Sequence, residues 1–249
     1  MIQVYPDLES LSQAAAGLFV QQAAKAVAAR DRFSVALSGG STPRRTYELL
    51  AQSPCRDQVS WGKVHVFWGD ERCVPLEDPR SNAGLARQAF LNSVPIPPEQ
   101  VHPILCQASP GEAAAAYEVR LRSFFAPQAP CFDLIFLGLG ENGHTASLFP
   151  GTQVLTERER WVAQVYVAQQ DLYRVTLTPV IINQAATVAF LVAGAAKAGV
   201  LKEVLQGAFD PQRLPAQLIH PEAGQLLWLT DLDAASRLPE RSNPDLGRC

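Results

Sequence analysis

The sequence predicts an α/β protein with a mostly parallel sheet that is covered by helices on both faces. Apolar segments resembling strands alternate with segments resembling helices along almost the whole chain of 249 residues. Parallel strands need such crossovers because a tight turn cannot join them. Hydrophobic residues make up 47% of the chain and charged residues 18%, which is enough to bury a sheet on both faces.

Seven segments have the length and composition of buried strands. They are rich in branched and aromatic side chains and are bounded by residues that favour turns. The predicted strands are 33–37, 64–68, 132–137, 162–167, 173–177, 188–192 and 226–229.

Five intervening segments predict helices. The first is rich in alanine with helical spacing, and the second opens with Pro43, which suits the first turn of a helix. The connection 92–110 carries five prolines, so we expect it to be largely irregular. The predicted helices are 8–29, 43–51, 82–91, 112–125 and 195–205.

The alternation continues in one style, so we expect residues 1–236 to form a single α/β domain. Residues 237–249 are polar and interrupted by prolines, which predicts a mobile tail.

Charge, apolar runs and cysteines restrict the class of protein further. The formal net charge of −3 provides no general attraction to nucleic acid or to an acidic membrane surface. No apolar run is long enough to span a membrane, and the amino terminus does not resemble a signal peptide. The five cysteines are scattered without a C-x-x-C pair, which argues against a disulfide framework or a structural zinc site. We therefore expect a cytoplasmic enzyme that binds neither nucleic acid nor membrane.

The first motif with chemical potential lies between a predicted strand and a predicted helix. Gly39 and Gly40 bring backbone N–H groups forward, and Ser41 and Thr42 add hydroxyl donors. Together with a helix amino terminus, these groups predict an anion site suited to phosphate. The alternative is an ordinary turn in which Thr42 caps the helix and Pro43 occupies its first position.

The second motif, Asp70-Glu71-Arg72, directly follows another predicted strand. Ligand crevices form at the carboxyl ends of parallel strands, and arginine can hold a phosphate through two parallel hydrogen bonds. The alternative is a solvated loop with a local ion pair. Downstream, Ser81-Asn82 precedes a helix and is most simply its cap.

The third motif combines Gly138, Gly140 and Gly143 with His144. A histidine is able to accept a proton near neutral pH, which makes His144 a candidate general base. The spacing G-x-G-x-x-G also occurs in dinucleotide-binding folds, but that interpretation fails because Pro150 soon interrupts the chain and no acidic residue ends the next strand. The alternative for His144 is a residue that only packs the loop.

Two further cations, Arg174 and Lys197, lie at the start of a predicted strand and of a predicted helix. Each taken alone is more simply a surface charge. The four histidines lack the spacing of metal ligands, so we expect no metal.

Three motifs resemble those of the 6-phosphogluconolactonase family, in the same order and over about residues 5–235: Ser38-Gly39-Gly40-Ser41-Thr42-Pro43, then Gly69-Asp70-Glu71-Arg72 with Val74-Pro75 and Ser81-Asn82, and finally the stretch from Gly138 to Gly151. The resemblance implies a Rossmann-like fold shared with glucosamine-6-phosphate isomerases, and no cofactor. It also implies hydrolysis of a phosphorylated sugar lactone in the oxidative pentose phosphate pathway, with functional coupling to glucose-6-phosphate dehydrogenase. Residue by residue, it implies His144 as the catalytic base, Arg72 as the phosphate ligand, and Arg174 and Lys197 as further substrate contacts.

The family usually carries aspartate where this chain has Asn142. Because a lactone is an activated ester, its hydrolysis needs only a base for water, an anchor for the phosphate and donors for the developing oxyanion. We expect Asn142 and Gly143 to border the substrate, and backbone N–H groups near Gly140 and Gly143 to serve as oxyanion donors.

Two alternatives remain at this stage. Glucosamine-6-phosphate deaminases share these loops but place glutamate five residues after the histidine, where this chain has Phe149, and tyrosine where it has Arg72. A non-catalytic sugar-phosphate sensor is the other alternative, but such regulators carry a helix-turn-helix, for which we expect no room before Leu8 or after Ser236.

Overall fold

The computed structural model describes residues 1–129 and 131–239. The strands are β1 (Ile2–Tyr5), β2 (Phe33–Leu37), β3 (Val64–Trp68), β4 (Asp70–Arg72), β5 (Leu134–Gly138), β6 (Val162–Val167), β7 (Leu172–Leu177), β8 (Thr187–Val192) and β9 (Gln225–Asp231). The helices are α1 (Leu8–Arg30), α2 (Ser41–Leu50), α3 (Cys55–Gln58), α4 (Asn82–Ala89), α5 (Pro110–Phe125), α6 (Pro179–Ile182), α7 (Ala198–Gln206) and α8 (Leu232–Ala235).

Six strands form one sheet in the order β1-β9-β8-β5-β2-β3, and every neighbouring pair is parallel. All residues of β2 and β8 are buried. Since successive side chains of a strand point to opposite faces, this burial requires cover on both faces of the sheet. The predicted fold class is confirmed. Sequence patterning missed β1, a half-exposed edge strand with little apolar signal.

The prediction was wrong for two strands. Segments β6 and β7 do not join the parallel sheet; with β4 they form a separate antiparallel sheet in the order β4-β7-β6. The physical reason is the short connection at 168–171, where Asp171 adopts a left-handed conformation with φ of 46°. So short a turn can only return the chain antiparallel.

The two sheets meet at Gly69, the single residue between β3 and β4. Its N–H donates to the carbonyl of Leu37 in the parallel sheet, and its carbonyl accepts from the N–H of Leu177 in the small sheet. The acidic and basic residues of β4 are thereby held directly beside the carboxyl end of β2.

Strands β2 and β5 are neighbours, and the chain leaves them in opposite directions, β2 toward β3 and β5 toward β8. The loops that follow two such strands separate and leave a crevice between them, which is where α/β sheets bind ligands. The motifs around Gly39 and His144 are these two loops.

Helix starts agree with the sequence in one case and differ in another. Ser81 caps α4 by accepting from the N–H of Gly84, as expected. Helix α2 begins two residues earlier than a Thr42 cap would allow, with Gly40 as its N-cap and no side chain bonded to the first turn. The alternative with Thr42 as the cap was therefore wrong, because Thr42 already lies inside the helix, whereas Gly40 at its N-cap has a φ of +109°, which favours glycine.

The expectation for cysteines also needs correction, because Cys73 and Cys106 form a disulfide. Their sequence separation of 33 residues gave no spacing signal. The bond joins the end of β4 to the proline-rich connection, which is mostly irregular, as predicted. Residues 240–249 of the expected tail lie outside the described residues. Within the described ranges, no helix is both long and apolar enough to cross a membrane.

Candidate active site

A cavity of about 230 Å³ opens at the carboxyl ends of β2 and β5 and faces the small antiparallel sheet. Seven of the sequence-predicted site residues line it: Gly39, Gly40, Asp70, Arg72, His144, Arg174 and Lys197. The other five do not line it: Ser41, Thr42, Glu71, Asn142 and Gly143.

The glycine loop after β2 offers unpaired donors. Within the described chain, the N–H groups of Gly39 and Gly40 have no hydrogen-bond acceptor, and the first turn of α2, which begins at Ser41, is uncapped by any side chain. Free N–H groups and the positive end of a helix dipole favour an anion at this point.

The position of His144 depends on the glycine before it. A Cβ on Gly140 would come within 2.0 Å of Nδ1 of His144, so only glycine leaves room for the ring. On its other side the ring stacks on Phe149, with 4.1 Å between ring centroids.

Asn142 determines which nitrogen of His144 carries the proton. Its Oδ1 lies 2.5 Å from Nδ1 of the ring and also accepts from the backbone N–H of His144 at 3.3 Å. A backbone N–H can only donate, so the shared atom is the amide oxygen and Nδ1 must donate to it. Nε2 is then the unprotonated nitrogen, and it has no hydrogen-bond partner among the described residues.

Burial keeps His144 neutral, and the charges around it modify its pKa. Burial lowers its pKa to about 4. Asp70 opposes this shift, and three cations reinforce it: Arg174, Lys197 and Arg72. Because the folded pKa lies well below 7, the ring is unprotonated at neutral pH and able to accept a proton.

Two arginines oppose each other across the small sheet. Arg72 of β4 and Arg174 of β7 are direct partners in the antiparallel register. Like charges in this position repel, so a bound anion would stabilise the pair. Nε of each guanidinium has no hydrogen-bond partner among the described residues, so neither arginine uses all of its donors within the protein.

The surface-charge alternative for Arg174 is wrong, since this residue is only 5% exposed. Its Nη1 lies 3.4 Å from Oδ2 of Asp70, and its Nη2 donates to Oε1 of Gln170 at 2.5 Å. Asp70 is also buried and accepts from the hydroxyl of Ser147 at 2.6 Å. Lys197 is partly buried and lies 3.9 Å from the carboxylate of Glu141.

Glu71 lies beneath the cavity wall. It is 2% exposed, and its carboxylate accepts from the hydroxyl of Ser81 and from three N–H groups at Arg72, Asn82 and Ala83. Burial raises its pKa, while these hydrogen bonds favour the charged form. The structure thus gives Glu71 a supporting position at the start of α4, in place of the expected substrate contact.

The expected oxyanion donors are already bonded. The N–H of Gly140 donates to the carbonyl of His144, and that of Gly143 donates to the carbonyl of Gly140. These bonds close the loop on itself, so the expectation was wrong in this conformation. Among the described residues that line the cavity, Gly39 and Gly40 of the other loop have unpaired N–H groups.

Asn82 lines the cavity, but it was not among the site residues predicted from the sequence. The dipeptide Ser81-Asn82 belongs to the motifs that resemble the family, but the only role predicted for it was a helix cap. The side chain of Asn82 lies on the cavity wall and accepts a hydrogen bond from Arg72. A single asparagine carries no periodic or spacing signal that would reveal this position. Elsewhere, no group of three or more His, Cys, Asp or Glu side chains in the described ranges is arranged to hold a metal ion.

The fold and the cavity define an α/β protein in which positively charged side chains form an anion-binding site beside a neutral histidine. The family model for glucosamine-6-phosphate isomerases/6-phosphogluconolactonase matches residues 6–228. A 6-phosphogluconolactonase from Synechocystis sp. is 46% identical over 219 residues, covering 86% of this chain and 88% of the relative. Another from Nostoc sp. is 40% identical over 242 residues, covering 95% and 98%.

A solved structure agrees with the sequence relatives. The 6-phosphogluconolactonase from Trypanosoma brucei aligns with a TM-score of 0.85 at 30% identity, covering 96% of this chain and 98% of that one. The chain belongs to the family of glucosamine-6-phosphate isomerases and 6-phosphogluconolactonases.

Proposed function

We propose that this protein hydrolyses 6-phosphoglucono-δ-lactone to 6-phosphogluconate, with His144 as the general base. One observation carries the proposal: His144, which is neutral, lines the same small cavity as Arg72 and Arg174, which are paired on neighbouring strands. The first group suits activation of water, and the second suits a phosphorylated substrate. The relatives named as lactonases support the same activity.

The phosphate is assigned to the cationic side of the cavity. Arg72 and Arg174 present donors from the small sheet, and the N–H groups of Gly39 and Gly40 present donors from the opposite loop. The uncapped first turn at Ser41 and Thr42 adds the positive end of the α2 dipole.

In the proposed reaction, Nε2 of His144 accepts a proton from a water molecule as its oxygen attacks the carbonyl carbon of the lactone. The bond from that carbon to the ring oxygen then breaks. The histidinium returns its proton to the departing ring oxygen, which becomes a hydroxyl group. Asn142 holds Nδ1 throughout, and Lys197 is assigned to the negative charge that develops on the carbonyl oxygen.

The deaminase alternative is not supported by the surroundings of the histidine. Phe149 stacks directly on the His144 ring, so this position provides no carboxylate for an acid–base relay. We further propose a cytoplasmic location and functional coupling to glucose-6-phosphate dehydrogenase, whose oxidation of a sugar phosphate at its anomeric carbon yields such a lactone.

The test is hydrolysis of freshly made 6-phosphoglucono-δ-lactone, measured against its spontaneous opening. We expect the protein to accelerate hydrolysis, and His144→Ala to lower kcat by roughly 10²- to 10⁴-fold, the usual contribution of general base catalysis. His220→Ala is the matched control, because this exposed histidine lies outside the cavity. A protein without acceleration, or a His144→Ala variant with unchanged kcat, would contradict the proposal.

A further inference from the structure

Asn82 connects three parts of the cavity through one amide group. It is 1% exposed and lies at the start of α4, facing both β4 and the glycine loop after β2. A buried amide has donors and an acceptor that must all be satisfied, so it can fix several partners at once.

The two ends of the amide hold side chains of opposite charge. Oδ1 accepts from Nη1 of Arg72 at 2.7 Å. Nδ2 donates to the carbonyl oxygen of Asp70 at 2.8 Å and to its carboxylate oxygen Oδ1 at 3.2 Å. The backbone N–H of Asn82 is in turn fixed by Glu71 at 2.7 Å, so the amide cannot easily shift.

Gly39 leaves the space that this amide occupies. A Cβ built on Gly39 would come within 1.7 Å of Oδ1 of Asn82. The φ of Gly39 is not in the left-handed region, so the requirement for glycine comes from this contact.

We propose that Asn82 is a positioning residue for the phosphate anchor, which aims the Arg72 guanidinium into the cavity and is itself kept in place by the absence of a side chain at Gly39. The inference rests on the proposed function, because it takes Arg72 as a phosphate ligand. Without Asn82, the carbonyl of Arg80 is the only partner that Nη1 of Arg72 keeps among the described residues. The long side chain then gains conformational freedom that binding must remove.

The effect should be confined to the phosphate. We expect Asn82→Ala to raise KM for the phosphorylated lactone by about 10-fold, the effect of losing one hydrogen bond to a charged group, with kcat little changed. KM for unphosphorylated δ-gluconolactone should stay near the wild-type value. Gly39→Ala, which displaces the amide without removing it, should reproduce the same pattern.

A double-mutant cycle with Arg72→Ala separates a positioning role from an independent one. If Asn82 acts through Arg72, the double variant binds the phosphorylated lactone no worse than Arg72→Ala alone. Asn183→Ala is the matched control, because that amide also donates one hydrogen bond, to the carbonyl of Leu218, and accepts another, from the N–H of His220, but lies outside the cavity. Thermal unfolding of all variants separates loss of folded protein from loss of binding.

The outcomes distinguish failure of Arg72 as a phosphate ligand from failure of Asn82 as its positioning residue. If Arg72→Ala leaves KM for the phosphorylated lactone unchanged, the proposed anchor fails, and the inference fails with it. If Arg72→Ala raises KM but folded Asn82→Ala and Gly39→Ala do not, only the inference is overturned. Fully additive effects of Asn82→Ala and Arg72→Ala would also overturn it.

Discussion

The cavity joins two regions that are built by different rules. Its histidine side consists of loops that follow parallel strands, where glycines shape the backbone and a single ring provides the chemistry. Its arginine side is a three-stranded antiparallel sheet in which the functional side chains stand on the strands themselves. The loops fix the positions of backbone N–H groups and of the His144 ring, whereas the small sheet provides Arg72 and Arg174.

Because the two sides differ in this way, we expect substitutions in them to change different kinetic constants. Changes in the histidine loop should act on kcat, because a base contributes in the transition state. Changes in the small sheet should act mainly on KM, because a phosphate anchor serves ground and transition states alike.

The largest expected effect comes from the histidine loop itself. Gly140→Ala would place a Cβ 2.0 Å from Nδ1 of His144, so the ring must leave its position. We expect kcat to fall by about 10²-fold or more, because general base catalysis is sensitive to misplacement of the base. The measurement is kcat on the phosphorylated lactone, with Gly62→Ala as the control because nothing lies within 4 Å of a Cβ there. A kcat close to wild type would show that the loop tolerates a side chain and that the position of the ring is not critical.

The next effect concerns the buried arginine. Arg174→Ala should raise KM for the phosphorylated lactone and also leave the buried carboxylate of Asp70 without its cation. Breaking such a buried pair costs about 3 kcal/mol of unfolding free energy. Arg72→Ala should raise KM with a loss of at most about 1 kcal/mol of unfolding free energy, because Arg72 is only partly buried. Urea unfolding of both variants checks this contrast, and equal losses of stability would contradict the structural difference between the two arginines.

The smallest effect is a shift in pH dependence. Asn142→Asp would place a negative charge 2.5 Å from Nδ1 of His144 and favour the imidazolium form. The wild-type pKa is lowered to about 4, and catalysis is lost as pH falls through the pKa of the base. The variant should therefore lose activity at higher pH, with the acidic limb of kcat/KM moved up by about one unit. Profiles across the acidic range, corrected for spontaneous opening, test this shift; a fixed limb with altered KM would place residue 142 on the substrate.

The sequence predicted the histidine side better than the arginine side, for a physical reason. Gly39, Gly40 and His144 lie in continuous motifs directly after buried strands, so local pattern was enough to place them at one sheet edge. The burial of Arg174 depends on the pairing of β7 with β4, two segments about a hundred residues apart, and no local pattern encodes that register.

The same limit explains the other errors. Whether the N–H groups of Gly140 and Gly143 are free depends on how the loop closes, and the pairing of Cys73 with Cys106 depends on a distant connection meeting the end of β4. The pair Ser81-Asn82 predicted a helix cap, and Ser81 is the cap of α4. That pattern gave no information about the hydrogen bond between the side chain of Asn82 and Arg72.

The most direct test of these two roles in the cavity compares His144→Ala with Arg72→Ala on phosphorylated and unphosphorylated lactone. We expect His144→Ala to lower kcat on both substrates by the same factor and to leave their ratio of kcat/KM unchanged. Arg72→Ala should reduce that ratio toward one by weakening only the phosphorylated substrate. If instead Arg72→Ala slows both substrates equally, or His144→Ala affects only the phosphorylated one, the assignment of chemistry to the His144 loop and of phosphate binding to Arg72 is wrong.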